Sequence, residues 1–403
     1  MNSRPLVSIL VATRNRQPYA AALVKDIMRW ADPRLEVVVE DNSDEEGLGE
    51  LLGADLSHRQ VRYRYNGQPI SSIDNFNNTI AQSSGEFVCL VGDDDGVMPG
   101  IVDVAEWARS HDVDCVTWNI RQEYIWPRTD TGGEIRPGTL SYPSYDGGHR
   151  YADPEECRRG LAERGGTRYL ELPFPRLYHG LVRRSLLEGA LTETGHYLGG
   201  LSPDIYAAVV LNQLARGTLY FDYPLTLPGV CQASTTASEG KRATTSTNVR
   251  DAPHFRSRQW YRFSERIPPV YCVDAIWADS AVAAMTAMGM AREIAALDID
   301  TLCAYIVRNH PGLRKTVCEW HRRQSPAGSA GHTTRKLVAA YLGAPLRTDL
   351  VRVRHKLVKH LRRGQMQTVA NMSDISSARA HLAQHLEAAG LGIRKVLMAV
   401  TPR

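Results

Sequence analysis

No apolar run in the 403-residue sequence approaches the roughly 18 to 20 residues that a membrane-spanning helix needs. The nearest is the Ala/Met stretch from Ala281 to Ala291, bounded by Asp279 and Arg292. The opening MNSRPLVSIL holds no apolar core of signal-peptide length before Arg14 and Arg16 interrupt it. Cysteine is sparse and odd in number: Cys89, Cys115, Cys157, Cys231, Cys272, Cys303 and Cys318, with no C-x-x-C pair. This argues against a disulfide framework or zinc module and leads to the expectation of a reducing, cytoplasmic setting. Two nucleotide-binding signatures are also missing. The first apolar strand runs into VATRNRQ rather than G-x-G-x-x-G, and no G-x-x-x-x-G-K-[ST] occurs. A bound nucleotide would therefore be held by polar side chains at strand ends.

What is present is globular. Hydrophobic residues make up 43% and charged residues 23%, which excludes wholesale disorder, and the length suits two or three domains. The formal net charge of +4 is unevenly spread. From Tyr341 to Arg403 there are 11 Lys/Arg against 3 Asp/Glu, a balance of +8, so the rest of the chain carries −4. A slightly acidic body with a basic terminal region suits an anionic partner surface, or else a solvated helical face.

The first 120 residues alternate apolar strands with helical patterns. Strands are expected at Leu6–Ala12, Leu35–Val39, Val61–Tyr65, Phe87–Val91 and Val113–Trp118. Helices are expected from Pro18, from Ser72 and from Pro99. Such alternation predicts an α/β fold with a mostly parallel sheet flanked by helices, whose ligands gather at the carboxyl ends of the strands. Tyr124 to Tyr151, rich in Gly, Pro, Tyr and Asp, reads as a long loop, and a helix follows from Ile205 to Ala215. Gln232 to Asp251 lacks an apolar period and reads as a mobile loop, able to offer Ser234, Ser238, Lys241 or Arg242 to a diphosphate. Beyond Pro268-Pro269 the chain is helical by composition. The expected division is 1–123, 124–260 and 261–403.

Asp93, Asp94 and Asp95 end an apolar strand. Unpaired, three adjacent carboxylates repel one another and raise each other's pKa. A hard divalent cation such as Mg2+ or Mn2+ relieves this, taking its other ligands from phosphates and water. The alternative is an acidic turn that complements the dipole of the helix after Pro99.

Taken together, SILVATRNR, EVVVEDNSDE and NFNNTIAQSSGEFVCLVGDDDGVMPG resemble the nucleotide-sugar-binding half of a family 2 glycosyltransferase with the GT-A fold. The resemblance covers about the first 120 residues, with the three blocks in the family's order. It implies that Thr13, Arg14, Asn15 and Asp41 hold the base, that Gly85-Glu86-Phe87 enters the fourth strand, and that Asp93 to Asp95 form the metal motif. Gly92 stands where the family's first aspartate falls. That leaves Asp93 for the ribose and Asp94 or Asp95 for the metal, with Asp94 also near the donor. Phe76 replaces the family's basic residue before Asn77, the remaining donor-binding candidate. The implied activity is metal-dependent, inverting transfer from a nucleotide diphosphate sugar, UDP-linked, to a glycan or lipid-linked acceptor, as in surface-polysaccharide synthesis.

Inverting transfer needs a carboxylate to take the acceptor proton. Asp204, in GLSPDIYAAVVL, resembles the family's base motif at a helix start, although an aspartate there also serves as an N-cap. Asp222 and Glu193 are the rivals. Two other functions fit the same features: a non-catalytic binding protein on this scaffold, and a transferase acting on a nucleic-acid base. A last expectation concerns Leu346 to Gly364, where an apolar stripe flanked by Lys/Arg would lie on the inner face of an anionic membrane.

Overall fold

The computed structural model describes residues 4–129, 133–233, 245–255, 257–324, 338, 341 and 366–401. Its centre is a sheet of eight strands. Four run in the order expected: β1 (Val7–Thr13), β2 (Leu35–Asp41), β3 (Val61–Tyr65) and β4 (Phe87–Val91). Across the sheet the order is His149–Tyr151, Thr218–Phe221, Cys115–Trp118, Gly180–Arg183, β4, β1, β2, β3. β1 pairs in parallel with both β2 and β4, and all three are buried along their whole length. Continuous apolar runs are what a parallel strand covered on both faces requires. Gly180–Arg183 runs antiparallel between β4 and Cys115–Trp118. Its start therefore lies at the carboxyl edge of its neighbours, where the polar clusters gather.

Helix Pro203–Leu214 and helix Val273–Ala287 share a second core, in which Ile205, Val209, Ala278 and Met285 are buried together. Their apolar, small-residue faces allow this close approach. No helix among the described residues is long and apolar enough to cross a membrane.

Two expectations need correction. The stretch 124–151 is not one long loop: it contains strand Gly138–Tyr142, paired with Glu123–Ile125. The alternation is short but real, with Leu140 and Tyr142 inward and Thr139 and Ser141 half-exposed. The terminal region is not helical throughout, because Gln367–Met372 adds an edge strand to Gly138–Tyr142. Most of that strand's side chains face solvent, so no inward apolar set advertised it.

After this strand the chain closes on the first core. Helix Ile375–Ala388 starts with a capping box between Asp374 and Ser377 and buries Ile375, Ala378, Leu382 and Leu386. Ile375 packs against Gly96, immediately after the three aspartates. Buried Asp26 of helix Gln17–Met28 accepts from Arg379 at 2.6 and 3.0 Å and from the Ser376 hydroxyl at 2.6 Å. Removing one partner of a buried pair leaves an uncompensated charge. Arg379→Ala should therefore lower stability by about 3 kcal/mol or more, read as a shifted urea midpoint. An unchanged midpoint would show that this terminal segment does not support the first core.

Candidate active site

The three aspartates follow β4 at the carboxyl edge of the sheet, and all are buried. Their environments differ. Asp95 is occupied by the protein: Gly92 N–H and Gly229 N–H donate to it at 2.6 and 2.7 Å, and the Tyr178 hydroxyl at 3.1 Å. The His179 Nε2 atom lies 3.3 Å from the same carboxylate. Burial pushes the His179 pKa down to about 3, so the ring is neutral. The Thr226 hydroxyl, which accepts from the Trp118 indole N–H, lies 2.9 Å from His179 Nδ1, while Nε2 faces Asp95.

Asp93 accepts from the Thr13 hydroxyl at 2.6 Å and pairs with Arg16 at 2.9 Å. The Arg16 contact to its Oδ1 atom is an ion pair without hydrogen-bond alignment, and that buried oxygen has no other partner. Asp94 lies 3.5 Å from Arg16 and accepts from Cys231 N–H at 3.1 Å. Burial raises the Asp93 pKa to about 7 and pushes Asp94 upward too. Burial also opposes the Arg16 charge, but Asp93 and Asp94 outweigh it and hold the guanidinium firmly protonated.

Backbone geometry explains two glycines here. A side chain at Gly229 would meet the Asp94 carbonyl at 1.7 Å, and one at Gly92 would meet the Tyr178 hydroxyl at 2.7 Å. Tyr178 thus fills the space beside Gly92. Trp126 donates its indole N–H to the Asp94 carbonyl at 2.7 Å and is itself wedged against Tyr19, edge to face.

The other expected donor residues are spread along the same edge. Asp41 ends β2, fully buried, and accepts from Ser43 and Tyr63. Asn15, with φ at 57°, exchanges hydrogen bonds with Asp44, and Arg14 pairs with the same carboxylate at 2.9 Å. Asn77 is bonded within the protein. Both ends of its amide are spent on Leu198, at 2.9 Å each, so it ties the first half of the chain to the loop that carries Asp204.

That loop is held from three sides. Asn77 fixes Leu198, Ser280 accepts from the N–H groups of Leu201 and Ser202 at 3.0 and 2.8 Å, and Arg258 donates to the Gly200 carbonyl at 2.6 Å. The N-cap of the next helix is Ser202, so Asp204 lies inside the first turn rather than at the cap. No side-chain partner is found for its carboxylate among the described residues. It is half-buried, and burial raises its pKa to about 6. Tyr178 connects the two acidic centres: its hydroxyl lies in the field of Asp95, Asp94 and Asp93 and also of Asp204. Of the rivals, Asp222 accepts from Asn119 at 2.5 Å and from Asp146 N–H at 3.2 Å, and Glu193 is exposed.

Sequence reasoning missed Tyr178, His179, Arg16 and Ser280. Only Arg16 carried a local signal, by its place beside the expected base-holding residues. Ser234, Ser238, Lys241 and Arg242 lie outside the described residues.

Residues 8–187 match the family model of glycosyl transferase family 2. That segment resembles a glycosyltransferase domain of that family, and the mostly parallel, helix-flanked sheet is the α/β architecture expected from the sequence. It is 30% identical over 162 residues to the uncharacterized protein y4gI of Sinorhizobium fredii, a match covering 37% of this chain and 18% of that protein. Among solved structures, S. aureus TarS in complex with UDP-GlcNAc overlays with a TM-score of 0.46 at 12% identity, covering 85% of this chain and 92% of that one. The mannosyltransferase PcManGT from Pyrobaculum calidifontis, in complex with GDP-Man and Mn2+, gives 0.40 at 16% identity, covering 84% and 87%. Neither overlay is close enough to transfer a residue or a ligand to this chain.

Proposed function

We propose that the protein transfers a sugar from a nucleotide diphosphate sugar, UDP-linked, to a hydroxyl of a glycan or lipid-linked acceptor, with inversion. The observation that carries this reading is that the Tyr178 hydroxyl, which donates to Asp95 at 3.1 Å, lies in the field both of Asp93 to Asp95 at the end of β4 and of Asp204, for which no side-chain partner is found among the described residues. The family assignment of residues 8–187 supports it.

In this reading Asp41 and the segment Thr13 to Asn15 receive the nucleoside, and Arg16 faces the diphosphate. No three His, Cys, Asp or Glu side chains converge on a metal position among the described residues. A divalent ion that takes most of its ligands from phosphates and water needs only one or two carboxylates. The buried Asp93 oxygen without a hydrogen bond and the neighbouring Asp94 suit Mn2+ or Mg2+ in that role. Asp95, with its oxygens held by two backbone N–H groups and Tyr178, shapes the loop instead. When bound, the ion would offset charge on the departing diphosphate. Asp204 takes the proton of the attacking hydroxyl, and its raised pKa suits a base working near neutral pH.

Calorimetric titration with UDP, with and without manganese, tests the donor half of this proposal. Binding should tighten with the metal, and equal affinity in chelator would count against it. Leu346 to Gly364, the basic stretch expected at a membrane, lies outside the described residues. Its composition supports a peripheral site on anionic lipid, where a lipid-linked acceptor would be found. Sedimentation with anionic vesicles should be salt-sensitive and absent with neutral ones. Tighter binding to DNA in competition would favour a nucleic-acid partner instead.

A further inference from the structure

Arg16 directly precedes helix Gln17–Met28, and its carbonyl is fixed there by the N–H groups of Tyr19 and Ala20 at 3.1 and 3.3 Å. Its guanidinium is held far less firmly. One terminal nitrogen lies 2.9 Å from Asp93, and the other lies 3.5 Å from Asp94 and 4.0 Å from the Cys231 sulfur. Neither carboxylate contact is aligned as a hydrogen bond, so charge and one long contact to sulfur keep the group in place.

Burial sets what an incoming ion meets first. The side chains of Asp93 and Asp94 are 0% and 6% exposed, and that of Arg16 is 24% exposed. The arginine is therefore the solvent-side member of the cluster. Among the described residues it is also the only cation within ion-pairing distance of either carboxylate. A divalent ion arriving alone would share the same oxygens with a positive charge, and like charges in a buried site repel strongly. Driving Arg16 off would leave its guanidinium without a partner. A diphosphate removes both obstacles. It offers oxygens that match the planar guanidinium, and it supplies ligands and negative charge to the ion.

We propose that Arg16 is a positioning residue that closes the Asp93–Asp94 pair to a divalent cation in the free protein and moves to the diphosphate when nucleotide binds, so that the metal enters only with the donor. This rests on the reading of Asp93 and Asp94 as the carboxylates of the metal site.

The test is Mn2+ binding to the full chain, followed by loss of the free-ion signal in electron paramagnetic resonance. Without nucleotide, Arg16→Gln should bind Mn2+ at least about tenfold tighter than the wild type, a gain that a merely structural defect would not produce. Arg16→Lys keeps the charge and should stay near the wild type. In chelator Arg16→Gln should melt below the wild type, because two carboxylates have lost their cation, and manganese alone should restore it. With UDP present the wild type and Arg16→Gln should agree within about threefold, so the coupling between UDP and metal shrinks in the variant. Unchanged or weaker Mn2+ binding in nucleotide-free Arg16→Gln would overturn the proposal, while UDP-tightened Mn2+ binding in the wild type would leave the metal reading standing. A wild type that binds Mn2+ equally well with and without UDP would also overturn it. Absence of Mn2+ binding in both proteins, with and without UDP, would remove the metal reading and the proposal together.

Discussion

Asp204→Asn should reduce turnover by about a hundredfold or more while UDP binding stays within about twofold, the range expected for loss of a general base. Among the described residues the carboxylate has no side-chain partner to lose: Ser202 occupies the capping position, and Asn77, Ser280 and Arg258 hold the loop by its backbone. Stability separates this role from a structural one. With a folded pKa of about 6 against an unfolded value near 4, Asp204 ionises first in the unfolded chain as pH rises. Its penalty on the folded state is absent below about pH 4 and complete above about pH 6. The asparagine variant should therefore match the wild type at pH 4 and exceed it by about 1 to 3 kcal/mol at pH 7. In the wild-type enzyme, turnover should fall as pH drops through about 6. Near-normal turnover in the folded variant would move the base elsewhere, and a variant less stable at pH 7 would mark Asp204 as structural.

The second large effect is expected at the aspartate cluster. Metal and diphosphate bound side by side supply ligands to one another, and coupling of that kind is typically about 5- to 150-fold in affinity. Asp93→Asn combined with Asp94→Asn should erase the manganese-dependent gain in UDP binding. Asp95→Asn should act differently. An amide cannot accept the Gly92 and Gly229 N–H groups and the Tyr178 hydroxyl as a carboxylate does, so the loop itself should loosen and the melting temperature should drop. If Asp95→Asn alone removed the metal response in a fully stable protein, the metal role would pass to Asp95.

The residues of the donor half were legible because each signal is local. β1, β2 and β4 are buried on both faces, so they appear as mostly apolar runs, and the polar residues that follow mark the edge where ligands collect. Asp204 stood out by a similar local cue, a Pro-Asp pair opening an apolar helix. What each aspartate does was decided elsewhere. Asp95 is spent on Gly229, Tyr178 and His179, residues 83 or more positions away, and no spacing in the sequence relates them. Gly92 could be read as a missing aspartate, but not as the space that Tyr178 fills. Asn77, expected at the donor, also ties to Leu198, 121 residues on. The terminal segment closes over helix Gln17–Met28 through Asp26 and Arg379, a contact spanning 353 residues. The sequence by itself determined the strand series, the carboxyl edge and the acidic residues placed there, because backbone periodicity and apolar burial are encoded over a few neighbouring positions. The tertiary structure alone decided which carboxylates the protein itself ties down, as it does Asp95, because those facts depend on groups that only folding brings together.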